Sequence, residues 1–351
     1  MKEQIKDRNS KLDLLRIISA IAVVLLHVSA QYADSLPVNT TDFGIAVAFN
    51  SITRFAVPVF VMISGELFLN NRKTISVKKI WIHNILRLAI VFTLWSFLYY
   101  VFQSVYFWHF DFYRQGIVRT VVGIVYATKH LWFLYMIAGL YALTPILREW
   151  VAKADEKNVR YFIDIFFIFQ IVRTTLQVLV NKSLTDEISS ILTITELTGY
   201  LGYYVLGFYL SKYGVPKRTK TAMFVLLPIG IIANATLSIL LSRIRGIYSP
   251  GIYDSFGVFT FFNCVALYLI AEAIAEKLKF KTSIVANLAK DTFGVYLAHI
   301  MIWDIVKEEI PDGVFGPVIL AIPIFTIIVC VISFALSALI RRIPFVGRYL
   351  A

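Results

Sequence analysis

Residues Leu12–Ala30 read LDLLRIISAIAVVLLHVSA. Ten residues separate Arg16 from His27, and only Ser19 among them is polar. A helix crossing a hydrocarbon core of about 30 Å needs roughly 20 residues of this kind. Lys2, Lys6, Arg8 and Lys11 precede the run and Val28-Ser29-Ala30 resembles a cleavage site, the pattern of a secretory leader. Arg16 and His27 interrupt that pattern, and further apolar runs of similar length follow, so the stretch reads as an uncleaved first membrane helix. At about 100° per residue, eleven steps bring Arg16 and His27 to within roughly 20° of one another on a single face. At about 1.5 Å per residue they stand roughly 16 Å apart along the axis. Asp13, three residues before Arg16, is spaced to pair with it.

Working outward, the remaining chain repeats the theme. Of its 351 residues, 58% are hydrophobic and 16% charged, and the mean hydropathy is +0.73, too apolar for a soluble domain. Apolar segments recur at 14–33, 44–70, 80–106, 130–147, 159–180, 196–211, 221–242, 255–275, 284–307 and 315–340. The expected fold is an all-α polytopic membrane helix bundle of about ten transmembrane helices. The net charge of +12 does not indicate nucleic acid, because the lysines and arginines sit in the short connections between apolar segments and alternate in number. With the N-terminus cytoplasmic, that side carries 23 of them, against 7 (Arg114, Arg119, Lys129, Lys182, Arg243, Arg245 and Lys307) on the other. This positive-inside bias places both termini in the cytoplasm. No connection is long enough for a soluble domain, so residues 1–351 form one membrane-embedded unit with cytoplasmic tails at 1–13 and 341–351. Cys264 and Cys330 both fall inside apolar segments and read as small buried hydrophobes; no metal-ligand pattern is present.

A charge near the bilayer centre costs at least ~2.5 kcal/mol, so each intramembrane ionisable residue needs a reason. Arg16 taken alone could snorkel to the cytoplasmic surface, and His27 could be a packing histidine; their shared face weakens both explanations. His299 lies near the middle of the ninth segment, about as deep as His27. His130 opens the fourth segment at the outer interface, where anchoring is an equal alternative. Glu66, beside Ser64-Gly65, and Glu196, at the start of the sixth segment, could orient a histidine or contact a substrate. For Arg87, positive-inside placement is a sufficient explanation. Tyr200, Tyr203, Tyr204 and Tyr209 read as packing or interface residues.

Leu12-Asp13-Leu14-Leu15-Arg16, ten residues and His27 resemble the arginine–ten–histidine motif of the acyltransferase-3 family. Those are integral membrane enzymes that O-acylate surface polysaccharides, lipopolysaccharide or peptidoglycan. Pro58–Gly65 (PVFVMISG), His130–Tyr135 (HLWFLY) with Leu140-Tyr141 and Thr144-Pro145, Gly202–Leu210 (GYYVLGFYL) and Tyr296–His299 (YLAH) resemble further family segments in order and spacing. The resemblance covers nearly the whole chain and is nearest to the stand-alone subgroup that includes enterobacterial-common-antigen O-acetyltransferases. Where the family often has two arginines three apart at the start of the third helix, Arg87 matches the second and Asn84 replaces the first, beside His83.

The resemblance implies an O-acetyltransferase in the bacterial cytoplasmic membrane. It would use acetyl-CoA or another acyl-CoA as co-substrate, with no permanently bound cofactor, and an extracytoplasmic or lipid-linked glycan as acceptor. Arg16, Arg87 and Lys79 are on the correct side to contact the phosphates of coenzyme A. His27 would act as base or transient acyl carrier, assisted by His130 or His299, with Glu66 or Glu196 fixing a tautomer. The alternative is a transporter or flippase of a lipid-linked glycan or small solute, which also needs intramembrane charges; a scaffold for glycan synthesis comes third. The sequence shows no inverted repeat of the kind many transporters use. An enzyme leaves a new ester, whereas a transporter leaves its substrate unchanged.

Overall fold

Pro58 shapes the second apolar stretch. Proline lacks an amide hydrogen and its ring crowds the carbonyl four residues earlier, here that of Arg54. The segment that reads as one span therefore folds as two helices, α2 (Thr41–Thr53) and α3 (Ala56–Leu69), bent at Arg54-Phe55. Pro58 falls in the first turn of α3, where an amide has no partner to lose.

The structure, a computed structural model, describes residues 10–70, 76–106, 129–179, 196–277, 282–311, 313–344 and 347. Of the basic residues counted for topology, Lys2, Lys6, Arg8, Arg72, Lys73, Arg114, Arg119, Lys182, Lys279, Lys281 and Arg348 lie outside the described residues. Helix α1 (Ser10–Ser35) precedes α2 and α3. They are followed by α4 (Val77–Tyr106), α5 (Lys129–Lys153) and α6 (Glu156–Leu179). The rest are α7 (Glu196–Tyr213), α8 (Lys217–Arg245), α9 (Val258–Lys277), α10 (Thr282–Glu309) and α11 (Val318–Arg341). Each of the ten expected segments has its helix, and there is no strand among the described residues.

Local chemistry sets the ends. The Thr40 hydroxyl accepts from the Phe43 amide (3.2 Å) and the Asp155 carboxylate from the Asn158 amide (2.8 Å), opening α2 and α6. Gly246 closes α8 in the left-handed conformation (φ 69°).

Eight helical segments are long and apolar enough to cross a membrane, α2 and α3 counting as one. Helices α7 and α10 are more polar, and the packing shows why that is tolerated. Tyr200, Tyr203 and Tyr204 of α7 and Asp291, Thr292 and His299 of α10 are buried against other helices. The outside of the bundle is apolar, with Phe97, Val105, Phe169, Ile232 and Val331 exposed, as a lipid-facing surface requires. This is a multi-pass membrane protein.

The core divides in two. One cluster joins α3, α6, α7 and α9; the other joins α2, α4, α10 and α11; α1 and α5 contribute to both. Helices α3 and α7 meet backbone to backbone. A Cβ on Gly65 would lie 1.8 Å from the Tyr204 carbonyl oxygen, and one on Gly207 would lie 2.0 Å from that of Met62. Small residues permit such approach in membranes, so the Ser64-Gly65 and Gly202–Leu210 motifs have a packing role. Helix α1 supplies Leu12, Leu15, Ala22 and Val23 to the first cluster and Ala20, Val24, Val28 and Ala33 to the second.

A candidate acyl-transfer site

His27 on α1, His299 on α10 and His130 in the opening turn of α5 converge from three separate segments. The rings of His27 and His299 are 5.1 Å apart between centroids, and those of His130 and His299 are 6.0 Å apart. His299 is 1% exposed. Its Nδ1 lies 2.7 Å from the Tyr296 carbonyl oxygen. A carbonyl can only accept, so Nδ1 carries the proton and the lone pair of the neutral ring is on Nε2. That Nε2 is buried without a hydrogen-bond partner among the described residues, as is Nε2 of His130. No hydrogen bond holds the ring of His27 among the described residues, and the ring faces open space.

That space is a cavity of about 230 Å³ running along α1 from Arg16 to His27, walled by Phe60, Ser64 and Phe133, with His130 beside His27. Arg16 donates to Asp13 at 2.9 Å, and Asp13 is buried while the arginine remains partly open to the cavity. The predicted i, i+3 pair therefore forms. Arg87 lies over the ring of Phe293, 5.9 Å from its centroid, and Phe293 lines the cavity. Tyr141, hydrogen-bonded to Ser64, feels the charges of both Arg16 and Arg87. Immediately before Arg87, residues Ile80–Ile85 form a π-helical turn, a widening often found near functional positions. The arrangement is a mostly apolar tunnel with cations at one end and imidazoles at the other.

A family model described as an acyltransferase domain, that of the acyltransferase-3 family, matches residues 9–342. The chain belongs to the acyltransferase-3 family. No curated protein and no solved structure matches it.

His27 of this acyltransferase also lines a second cavity, of about 460 Å³, at the opposite end of α1. Its walls include Gln31 and Asp34 of α1, Tyr248, and Trp303 and Asp304 of α10. The Trp303 indole donates to the Gln31 side-chain oxygen at 2.5 Å. One imidazole thus borders two spaces of opposite charge, with Arg16 in the first and Asp34 and Asp304 in the second.

Not every candidate is brought here. Glu66 is 2.9 Å from the Lys11 ammonium and accepts a short hydrogen bond from Tyr268, while Lys11 donates to the same phenol at 2.8 Å. This buried cluster ties α1, α3 and α9 together at the far end from the histidines, so Glu66 orients none of them. The reason is register: α3 runs antiparallel to α1, which brings Glu66 level with Lys11 and not with His27. Lys79 ends the exposed first turn of α4 and does not line either cavity. Glu196 begins α7, and its side chain lies outside the described residues.

No motif in the sequence singles out Arg54 for the site, yet the bend between α2 and α3 places it there. Its guanidinium stacks on Tyr253 at 4.1 Å, donates a short hydrogen bond to the Asn50 side-chain oxygen, and bonds Tyr248. Asn50 in turn donates to the Leu26 carbonyl (2.9 Å) and to the Ser29 hydroxyl (3.0 Å), on either side of His27. Among the described residues no carboxylate lies within ion-pair distance of Arg54. An arginine in mid-span four residues before a proline was the available signal.

Proposed function

We propose that this membrane acyltransferase moves an acetyl or other short acyl group from acyl-CoA to a hydroxyl of a cell-surface or lipid-linked glycan, in the bacterial cytoplasmic membrane. The observation that carries the reading is that His27 belongs to both cavities. The positive-inside bias puts the Arg16 end on the cytoplasmic side, where acyl-CoA is found. Arg16 and Arg87 suit the phosphates of coenzyme A, since guanidinium–phosphate pairs are strong and directional, and the apolar tunnel suits the pantetheine arm. Asp34 and Asp304 would repel that polyanion and accept hydrogen bonds from sugar hydroxyls, while Trp303 offers an apolar face.

The reaction divides into two steps. A ring nitrogen of His27 attacks the thioester carbonyl, the C–S bond breaks, and the thiolate leaves with the imidazole proton as the free thiol of coenzyme A. The acceptor hydroxyl then attacks the acyl-imidazole from the second cavity and gives its proton to Nε2 of His299. Collapse breaks the C–N bond, the ester leaves, and the proton returns from His299 to the His27 imidazolide. The oxyanion of each step forms near Arg54, Asn50 and Tyr248, the cationic and polar cluster beside His27.

The test is release of coenzyme A from radiolabelled acetyl-CoA by protein in nanodiscs, with envelope glycans as acceptor. Wild-type turnover that His27→Ala abolishes at normal abundance, with label in an alkali-labile ester, is the expected result. A His27→Ala variant that still transfers acyl groups would remove the carrier role.

A further inference from the structure

Tyr99 of α4 is completely buried, and its hydroxyl does something unusual. It donates to the Leu297 carbonyl at 2.9 Å and accepts from the Met301 amide at 3.1 Å. Those two groups, four residues apart, are the pair that an α-helix joins directly. The phenol oxygen therefore bonds both ends of one rung of the α10 ladder, where a side chain can tilt a helix locally. The bridged rung spans Leu297 to Met301, and His299 is its middle residue. In the adjacent turn the Tyr296 carbonyl accepts from His299 Nδ1. The Tyr99 ring also meets His130 edge-on, 4.4 Å between centroids, and the Tyr296 hydroxyl donates to the His130 carbonyl at 2.9 Å. Two imidazoles from different helices are thus referred to one phenol.

We propose that Tyr99 is a positioning residue for acyl transfer: its hydroxyl sets the turn of α10 that aims the lone pair of His299 at His27. The inference rests on the two-step reading above, in which His299 takes the proton of the acceptor. Loss of the hydroxyl leaves Leu297 and Met301 only each other as partners, so the helix stays satisfied and the fold is kept. The turn then tightens, and His299 rotates away from His27. The step that suffers is the second one, transfer to the acceptor; loading of His27 from acyl-CoA is untouched.

The experiment compares wild type, Tyr99→Phe and His299→Gln in nanodiscs. Its first readout is rapid-quench measurement of acetyl-CoA cleavage. The expected outcome for Tyr99→Phe is an unchanged burst of acyl-enzyme, an unchanged KM for acetyl-CoA, and steady-state turnover lower by about 10- to 30-fold, within the range for misplaced acid–base groups. The second readout is the imidazole nitrogen spectrum of histidine-labelled protein, practicable with 5 histidines in the chain. The signal of a hydrogen-bonded Nδ1–H that disappears in His299→Gln belongs to His299, and it should shift in Tyr99→Phe. An unshifted signal with normal turnover overturns the proposal. So does a loss of the burst in parallel with turnover, which would mean general damage and not positioning. Absence of acyl-CoA cleavage in wild type would overturn the two-step reading itself; a shifted His299 signal would then still show that Tyr99 holds the ring, and an unshifted one would dispose of both.

Discussion

The two cavities that meet at His27 differ in kind. The one at the Arg16 end is mostly apolar, with the Arg16 guanidinium at one end and Arg87 behind Phe293 of its wall. The one at the Asp34 end is bordered by two carboxylates, a tryptophan and a glutamine. A transporter that alternates access to one site presents the same lining to both sides in turn. Here each side has its own lining, and only one titratable residue is common to both. Two unlike cavities sharing one imidazole suit a molecule that exchanges a group between two different partners, and do not suit one that carries a single partner through.

The comparison is broken most directly at the shared residue. His27→Ala should lower turnover by about 10³-fold or more, some 4 kcal/mol of barrier, with abundance and thermal midpoint near wild type. Equal loss of abundance and activity would instead make His27 a packing residue. Next comes a control that belongs to neither cavity. Glu66→Gln removes the carboxylate facing Lys11 and should cost about 3 kcal/mol of stability, read as a lower unfolding midpoint, with KM for both substrates unchanged in the protein that remains folded. A selective change in KM would return Glu66 to the site.

Smaller effects should then separate the two ends. Arg16→Ala should raise KM for acyl-CoA by roughly 10- to 100-fold, the worth of a charge-assisted hydrogen bond, and leave acceptor KM alone; Arg16→Lys should recover part of it. Asp304→Asn should do the reverse, raising acceptor KM by about 3- to 10-fold, the worth of one ordinary hydrogen bond, with donor KM constant. Any crossover, with Arg16 acting on acceptor or Asp304 on donor, would mean that the two chambers do not bind separate partners.

The family's motifs turn out to have unlike physical meanings. Arg16 and His27 share a helix face and open onto one cavity, as their spacing requires. Gly65 and Gly207 are there because α3 and α7 touch through their backbones. Tyr296 and His299 share one turn, in which the Tyr296 carbonyl accepts from His299 Nδ1. Glu66 and His299 are both isolated ionisable residues within apolar segments. Only the antiparallel register of α3 against α1 separates them, sending one to a structural cluster with Lys11 and Tyr268 and the other to the site.

The sequence by itself determined the membrane fold, the number and order of its apolar segments, and the one face of α1 that carries Arg16 and His27. Each of these depends on periodicity or composition within a single segment, which near neighbours control. Tertiary structure decided what stands opposite that face. It brought His130 and His299 to His27, put Arg54 beside them through the bend before Pro58, and wedged Tyr99 into α10. These contacts join residues tens to hundreds of positions apart, and they depend on how far each helix slides and rotates against its neighbours. In lipid, that choice is made by small residues at the contacts and by buried polar groups seeking partners, which no single segment can reveal.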